Sequence, residues 1–252
     1  MKVSIITIVY NNANYIESCI KSVLSQTYSN IEHIIIDGGS NDGTQEIVKP
    51  YIPKLGYYTS EKDKGLYNAL NKGIQIATGD VIGILHSDDL FYESTTLEKI
   101  VKVFTASKVD LLYANGMYVE RENIKKVKRI YKAKPYKNRY LNFGWIPLHT
   151  TIYVKKEVFQ EFGLYDESYS IASDYEISLR WFHEKDIKNC FLDDWVVKMR
   201  LGGKSTTLKL QKRKSSEDLQ IIKKYSLFGK LTLFFKILRK IPQYGIPRIK
   251  NY

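Results

Sequence analysis

Asp37 ends the strand-like segment 31–36, and Asp88 and Asp89 follow the apolar run 81–85 after His86-Ser87. In an α/β sheet, ligands collect just past the carboxyl ends of strands. A carboxylate there can accept a hydrogen bond from the imide N–H of uracil or the N1–H of guanine. An adjacent carboxylate pair can hold a hard divalent cation through oxygen. Such a cation would bridge a diphosphate and neutralise a leaving nucleoside diphosphate. The competing reading makes these loop acids that cap turns and helices. It is preferred for Asp42 and rejected for Asp37, Asp88 and Asp89 together. Asp174 opens a helix after the loop 168–173. Taken alone it suits a helix N-cap or a general base that takes the proton of an attacking hydroxyl. His149, before Thr150-Thr151, could touch a phosphate or a metal, or be satisfied by a structural hydrogen bond. His33, His86 and His183 read as structural.

The elements that must position these groups follow from periodicity. Residues 3–9 (VSIITIV) are a continuous β-branched run, which suits a strand buried on both faces. Ile16, Ile20, Val23 and Leu24 recur at helical spacing over 15–25. A second strand, 31–36, leads through Gly38-Gly39-Ser40-Asn41-Asp42-Gly43 into a helix over 43–49 that Asp42 caps. Alternating strands and helices are the signature of a parallel sheet. The pattern continues with a strand at 55–59, a helix at 65–77, a strand at 81–85, a helix at 94–105 and a strand at 111–114. A hairpin with a basic outer strand covers 115–135, and an irregular stretch holds Tyr136, Tyr140, Phe143 and Trp145. A strand at 151–154 and helices at 155–162 and 174–184 follow.

Composition narrows the class. The 252 residues are 44% hydrophobic, so the chain is globular, with one large domain or two small ones. No run of about 18 apolar residues exists, which excludes a membrane-spanning helix. The opening MKVSIITIVY turns polar at Asn11 and lacks a small-residue cleavage site, so no secretory signal is expected. Cys19 and Cys190 form neither a disulfide framework nor a zinc site, and two reduced thiols fit a cytoplasmic protein. Other chemistries lack their motifs: there is no G-x-G-x-x-G, no G-x-x-x-x-G-K-[ST] and no G-x-S-x-G, and His183-Glu184 lacks the second His of a zincin.

Charge is unevenly spread. Lys and Arg number 39 against 27 Asp and Glu, a formal net charge of +12. Residues 204–252 hold 13 of the basic side chains and only two of the acidic ones. The part that carries the candidate chemistry is therefore nearly neutral.

Three segments carry a resemblance. VSIITIVYNNANYIESCIKSVLSQTYSNIEHIIIDGGSNDGT resembles the opening block of the family 2 glycosyltransferases. SEKDKGLYNALNKGIQIATGDVIGILHSDD resembles their second block, with its D-x-D-type metal motif. HTTIYVKKEVFQEFGLYDESYSIASDYEISLRW resembles their acceptor-side block. The three occur in family order and cover about residues 2–205. The resemblance implies an α/β fold of the GT-A type, a Rossmann-like, mostly parallel sheet flanked by helices, over residues 1–205, followed by a basic amphipathic helical tail over 206–252. It implies inverting transfer from a nucleotide-diphosphate sugar with Mn²⁺ or Mg²⁺.

The resemblance also implies roles. Asp37 matches the nucleobase-contacting acid, although the usual D-D-G-S reads Asp37-Gly38-Gly39-Ser40. Tyr10 and Asn11 match a P-x-Y-N region lining the base pocket, with Ile8 in place of the Pro. Asp63, Gly65, Asn71 and Lys72 fall near ribose and phosphates. Asp89 matches the direct metal ligand, and Asp88 supports ribose or metal-bound water. Asp174 matches the catalytic base, with Glu176 as runner-up. Asp166-Glu167 matches a structural turn. Gly202-Gly203-Lys204-Ser205 resembles a loop that closes over the diphosphate.

The tail interleaves cations with Leu227, Phe228, Leu231, Leu233, Phe234, Phe235, Ile237, Leu238 and Ile241. This pattern fits an interfacial helix on anionic lipid or a helix packed on the catalytic domain with a solvated basic face. Membrane contact is preferred. It implies a peripheral enzyme on the inner face of the cell membrane, with a lipid-linked saccharide as acceptor in bacterial surface-polysaccharide synthesis. UDP is favoured over GDP. A nucleic-acid-binding protein is the weaker alternative, since the charge is terminal and no helix-turn-helix, zinc finger or RNP-type segment occurs. A sugar nucleotidyltransferase would need a Gly-rich phosphate loop where Val9-Tyr10-Asn11-Asn12 stands.

Overall fold

A computed structural model describes residues 1–202 and 208–249. The segment Gly203-Lys204-Ser205, expected to close over a diphosphate, lies outside the described residues. The first half alternates as expected: β1 (Val3–Val9), α1 (Ala13–Leu24), β2 (Ile31–Asp37), α2 (Thr44–Val48), β3 (Tyr57–Ser60), α3 (Leu66–Ile76) and β4 (Val81–Ile84). Next come β5 (Leu90–Phe91), α4 (Thr96–Ala106), β6 (Leu111–Val119), β7 (Val127–Tyr131) and α5 (Arg139–Asn142). The chain continues with β8 (Ile152–Lys155), α6 (Lys156–Phe162), α7 (Ser173–His183) and β9 (Asn189–Arg200). Helices α8 (Leu208–Lys224), α9 (Lys230–Leu238) and α10 (Lys240–Ile249) follow.

Among the described residues the strands form one nine-stranded sheet in the order β3-β2-β1-β4-β8-β6-β9-β5, with β7 paired to β6. Strands β3, β2, β1 and β4 are parallel. Helical crossovers put their carboxyl ends on one edge, where Val9 lies opposite Asp37 and Ile6 opposite Ile84. From β8 onward most pairs are antiparallel, and β6 with β9 is parallel. The continuous β-branched runs are buried on both faces: Ile34, Ile35 and Ile36 are all fully covered.

Strand β9 was not foreseen from sequence, and its geometry explains why. Its pairing with β6 runs from Tyr113 opposite Phe191 to Asn115 opposite Trp195, so extra residues bulge out of β9. Asp193 and Asp194 fall in that bulge and break the period-2 pattern. Asn115 donates to Asp193 Oδ1 at 2.9 Å, and Lys99 pairs with Asp194 at 2.6 Å.

The basic helices are built into the core. Ile221 and Ile222 of α8 are fully buried in the main core, where α8 packs on α7. Each such burial contributes about 1.5–3 kcal/mol. Helix α9 lies against the aromatic stretch: Thr232 donates to the Asn142 carbonyl at 2.7 Å, and Phe235 meets Phe143 edge to face. A Cβ at Gly144 would come within 2.5 Å of the Lys236 nitrogen, so only a glycine lets the two backbones meet. No described helix is long and apolar enough to cross a membrane.

Candidate active site

The loops after β1, β2 and β4 converge. Asp37, at the end of β2, is fully buried. Its Oδ1 accepts from the Ser40 amide at 3.1 Å and the Ser40 hydroxyl at 2.5 Å, and its Oδ2 accepts from the Ser60 hydroxyl at 2.6 Å. The Asn11 amide donates to the Ser40 hydroxyl at 2.8 Å, and Asn11 Oδ1 accepts from the Asn41 amide at 2.9 Å. Asn11 holds φ at +50°, in the left-handed region that Asn tolerates. It thereby ties the β1 loop to the β2 loop.

Gly38 shows what became of the missing second acid. A Cβ there would lie 2.6 Å from Asp63 Oδ2 and 3.4 Å from the Tyr10 ring. The Asp63 carboxylate fills the space a side chain at 38 would need, and Tyr10, half exposed, flanks it. Asp63 also accepts from the Gly65 amide at 2.8 Å, which shapes the turn into α3. Lys72, on α3, is ion-paired with Glu61 at 2.6 Å. Asn71 faces elsewhere. Its amide bonds both the N–H and the carbonyl of Tyr165 and reaches Glu167, so it fastens α3 to the 165–167 turn. Asp42 stands one residue before the cap position, which Gly43 takes; it accepts from the Thr44 amide and hydroxyl at the start of α2, and from the Ala13 amide at the start of α1.

Asp88 and Asp89 form the turn after β4. Asp89 is buried; its Oδ1 accepts from the Arg200 amide at 3.1 Å, and its Oδ2 has no hydrogen-bond partner. Burial, reinforced by the Asp88 charge alongside, pushes the Asp89 carboxyl well above its ordinary range. Asp88 Oδ2 pairs with Arg121 at 3.2 Å, and its carbonyl accepts from Arg200 at 2.5 Å. Tyr15 lies between the two guanidinium groups, at 4.3 Å from Arg121 and 5.0 Å from Arg200. Neither arginine was singled out from sequence. Arg200 carried no local signal, because it ends the unread strand β9.

A chain of contacts runs from this turn to Asp174. His86 Nε2 and His149 Nε2 are 3.0 Å apart, and His149 Nδ1 is 3.3 Å from Asp174 Oδ2. With both rings neutral, the arrangement that makes each contact a hydrogen bond has His86 donating to His149 and His149 donating to Asp174. Burial pushes the His86 imidazole down to about 3 and also lowers His149, in keeping with neutral rings. His86, read from sequence as structural, joins the site; its place between β4 and Asp88-Asp89 was the available signal. His33 stays a core residue, bonded to Thr7 at 2.9 Å.

Asp174 is not an N-cap. Helix α7 begins at Ser173, with Ala172 in the cap position, so Asp174 lies inside the first turn. The Tyr67 hydroxyl is 3.3 Å from its Oδ1. Burial works to raise the Asp174 carboxyl, but Lys214, His149 and Lys236 outweigh it and hold the group below its ordinary value. The runner-up, Glu176, is fully buried and consumed by Arg180, by Lys224 at 2.8 Å and by the Tyr225 hydroxyl at 2.8 Å. Asp166 closes its own turn on Ser168, and Glu167 holds Asn68 and Asn71, as a structural pair would.

A parallel half-sheet whose strand ends gather acidic loops, extended by antiparallel strands, defines a GT-A type α/β protein. The family model described as Glycosyl transferase family 2 matches residues 4–165, and the chain belongs to that family. An uncharacterized glycosyltransferase of Rickettsia typhi is 33% identical over 212 residues, 81% of this chain and 65% of that protein. The chain thus spans less than two thirds of that relative's length. Among solved structures, the mannosyltransferase PcManGT from Pyrobaculum calidifontis, in complex with GDP-Man and Mn²⁺, gives a TM-score of 0.68 at 17% identity and covers 100% of this chain and 76% of that one. S. aureus TarS 1-349 in complex with UDP-GlcNAc gives 0.63 at 17% identity, over 87% of this chain and 67% of that one.

Proposed function

We propose that this protein is an inverting, metal-dependent glycosyltransferase. It moves a hexosyl or N-acetylhexosaminyl group from a nucleotide-diphosphate sugar onto a lipid-linked saccharide, at the inner face of a bacterial membrane, in polysaccharide synthesis. The observation that supports the reading is the path His86–His149–Asp174, which links a carboxylate to the segment that carries Asp88 and Asp89.

A divalent cation fits the acidic turn. Asp89 keeps a buried oxygen without a partner, burial and the Asp88 charge disfavour its anion even beside Arg121 and Arg200, and among the described residues no third His, Cys, Asp or Glu joins the pair. Asp89 would hold Mn²⁺ or Mg²⁺ directly and Asp88 would support it, leaving the other positions to water and the donor diphosphate. When bound, the ion neutralises charge on the departing nucleoside diphosphate. Tyr10, Asn11 and Asp63 line the side of the cleft assigned to base and ribose. A nucleobase N–H reaches Asp37 by displacing the hydroxyl of Ser40 or Ser60, and the Gly65 backbone lies close enough to Asp63 to share the donor site. Lys72 reaches a phosphate once its Glu61 pair opens; such a surface pair is worth about 1 kcal/mol or less. Asp174 takes the proton from the acceptor hydroxyl as that oxygen bonds to the anomeric carbon and the bond from that carbon to the diphosphate oxygen breaks. His149 orients the Asp174 carboxylate.

The membrane part of the reading is supported by the exposed apolar ridge of Phe228, Leu231, Phe234, Ile237 and Ile241. The two carboxylates of the last 49 residues, Glu217 and Asp218, are both buried, so the outward formal charge of α8 to α10 is positive. Each cation near an anionic bilayer contributes about 1 kcal/mol.

A thermal-shift series with UDP, GDP and dTDP, with and without Mn²⁺, tests the donor site. A nucleotide at 100 times its Kd stabilises by about 2.7 kcal/mol, or roughly 5–10 °C at this size. UDP with Mn²⁺ is expected to give the largest shift. A larger shift with GDP overturns the base preference, and no shift with any of them overturns the donor reading.

A further inference from the structure

Helix α8 reaches the loop that presents Asp174 through one side chain. The Glu217 carboxylate is buried. Its Oε1 accepts from the Ser170 amide at 3.2 Å and the Ser170 hydroxyl at 2.7 Å, and its Oε2 accepts from the amides of Ile171 at 2.9 Å and Ala172 at 3.0 Å. Three consecutive backbone N–H groups leading into α7 therefore converge on one carboxylate 45 residues away from Ala172 in sequence. The Ser170 and Ile171 amides belong to the loop that enters α7 and the Ala172 amide to its cap residue, and α7 has no side-chain cap of its own. Arg213, one turn earlier on α8, braces the carboxylate at 3.2 Å. The neighbouring Asp218 pairs at 2.6 Å with Lys236, which sits 3.3 Å over the ring of Tyr175, the residue after Asp174.

We propose that Glu217 is a positioning residue for transfer. It clamps the loop that enters α7 and fixes the backbone of 170–172, so that the Asp174 carboxylate stays against His149 in the orientation that accepts the acceptor's proton. The proposal rests on the reading of Asp174 as the base. A carboxylate accepting several charge-assisted bonds is hard to replace, because Gln at this position keeps only one acceptor oxygen. A small displacement of a catalytic group is enough to lower turnover about 100-fold.

The test uses the full chain with Glu217→Gln, Glu217→Ala, Asp174→Asn and the double variant Asp174→Asn/Glu217→Ala. Hydrogen exchange reads the clamp directly. The Ser170–Ala172 amides are expected to exchange at least tenfold faster in Glu217→Ala and by a smaller factor in Glu217→Gln, while the Kd for UDP with Mn²⁺ stays within twofold. Unchanged exchange overturns the clamp. Turnover is read as nucleotide release from UDP-GlcNAc or GDP-mannose with Mn²⁺ and a bacterial lipid extract as acceptor source. Glu217→Ala is expected to lower kcat by about 10- to 100-fold at a nearly constant donor KM, and Glu217→Gln to recover part of it. The double variant is expected to be no slower than Asp174→Asn alone, since a positioning residue has nothing left to position. Losses that multiply overturn the role. Near-normal turnover in Asp174→Asn refutes the base reading by itself, and the exchange data then still decide whether the clamp exists.

Discussion

On the proposed donor side, Asp37, Asp88 and Asp89 stand where strands end, and the sheet places them. Asp37 is held mainly by Ser40, three residues on, and Asp88-Asp89 form the turn that β4 runs into. On the acceptor side, Asp174 has no strand beneath it. It rests on His149 from before β8, on Tyr67 107 residues earlier, and on helices α8 and α9, whose Lys214 and Lys236 keep it ionised. One side follows from local chain geometry; the other is assembled from distant pieces. The donor side should therefore fail by losing single groups, and the acceptor side by losing either the group or its supports.

The largest expected effect is on the donor side. Asp89→Asn removes the charge that the cation requires while keeping the shape of a buried side chain. Turnover should fall on the order of 10³-fold. The extra thermal stabilisation that Mn²⁺ gives beyond UDP alone should vanish. A Mn²⁺-dependent shift that survives in Asp89→Asn would move the metal site elsewhere.

The acceptor side gives a different signature. Asp174→Asn should lower kcat by about 10²–10⁴-fold, the range of a general base, and leave the Kd for UDP within twofold. Its pH dependence has a definite sign. The Asp174 carboxyl is held below its ordinary value by Lys214, His149 and Lys236 against the effect of burial, so it should lose its proton below the usual carboxylate range. The profile of kcat/KM should show no acid limb from this group between pH 5 and 8. Lys214→Ala, which removes one of the supporting charges, should move the limb upward. An acid limb near neutrality that persists at saturating Mn²⁺, where the ion would keep Asp89 ionised, would assign the base to another residue.

The same contrast explains what could be read from the chain beforehand. Strands β1, β2 and β4 were legible because a continuous β-branched run has few other uses, and β2 and β4 each announce an acid at their end. Helices α3 and α7 were legible from apolar spacing. Strand β9 was not, because its bulge carries Asp193-Asp194 through the middle and scrambles the alternation. Asn71 was placed near the phosphates by its position in a motif, and only the fold shows its amide turned toward Tyr165 and Glu167. Asp174 was ambiguous between cap and base, since nothing nearby in sequence shows that Ala172 takes the cap position and that Glu217 holds the loop before it. The basic tail posed the same difficulty in larger form. Its spacing suited lipid contact or domain contact, and the structure divides it: Ile221, Ile222 and Thr232 face the core, while Phe228, Leu231 and Phe234 face out.

That division makes the tail the most finely graded test of the comparison. The inward face supports Asp174, so truncating the tail would disturb catalysis and membrane contact together. Substitutions confined to the outward face separate them. Phe228→Ser/Phe234→Ser should weaken binding to vesicles containing anionic phosphatidylglycerol by about tenfold, because each ring is already half covered and gives up only part of the roughly 1.5–3 kcal/mol of a full burial. Lys230→Gln/Lys240→Gln should weaken it by up to about 30-fold in low salt, at about 1 kcal/mol per cation. The difference between Lys230→Gln/Lys240→Gln and the unmodified chain should shrink as ionic strength rises past the physiological range. The Kd for UDP with Mn²⁺ should stay unchanged in both variants, since the donor side owes nothing to this ridge. Equal sedimentation of all three proteins would remove the ridge from the membrane. Loss of UDP binding along with the vesicles would show that the two sides of the cleft are less separate than their construction implies.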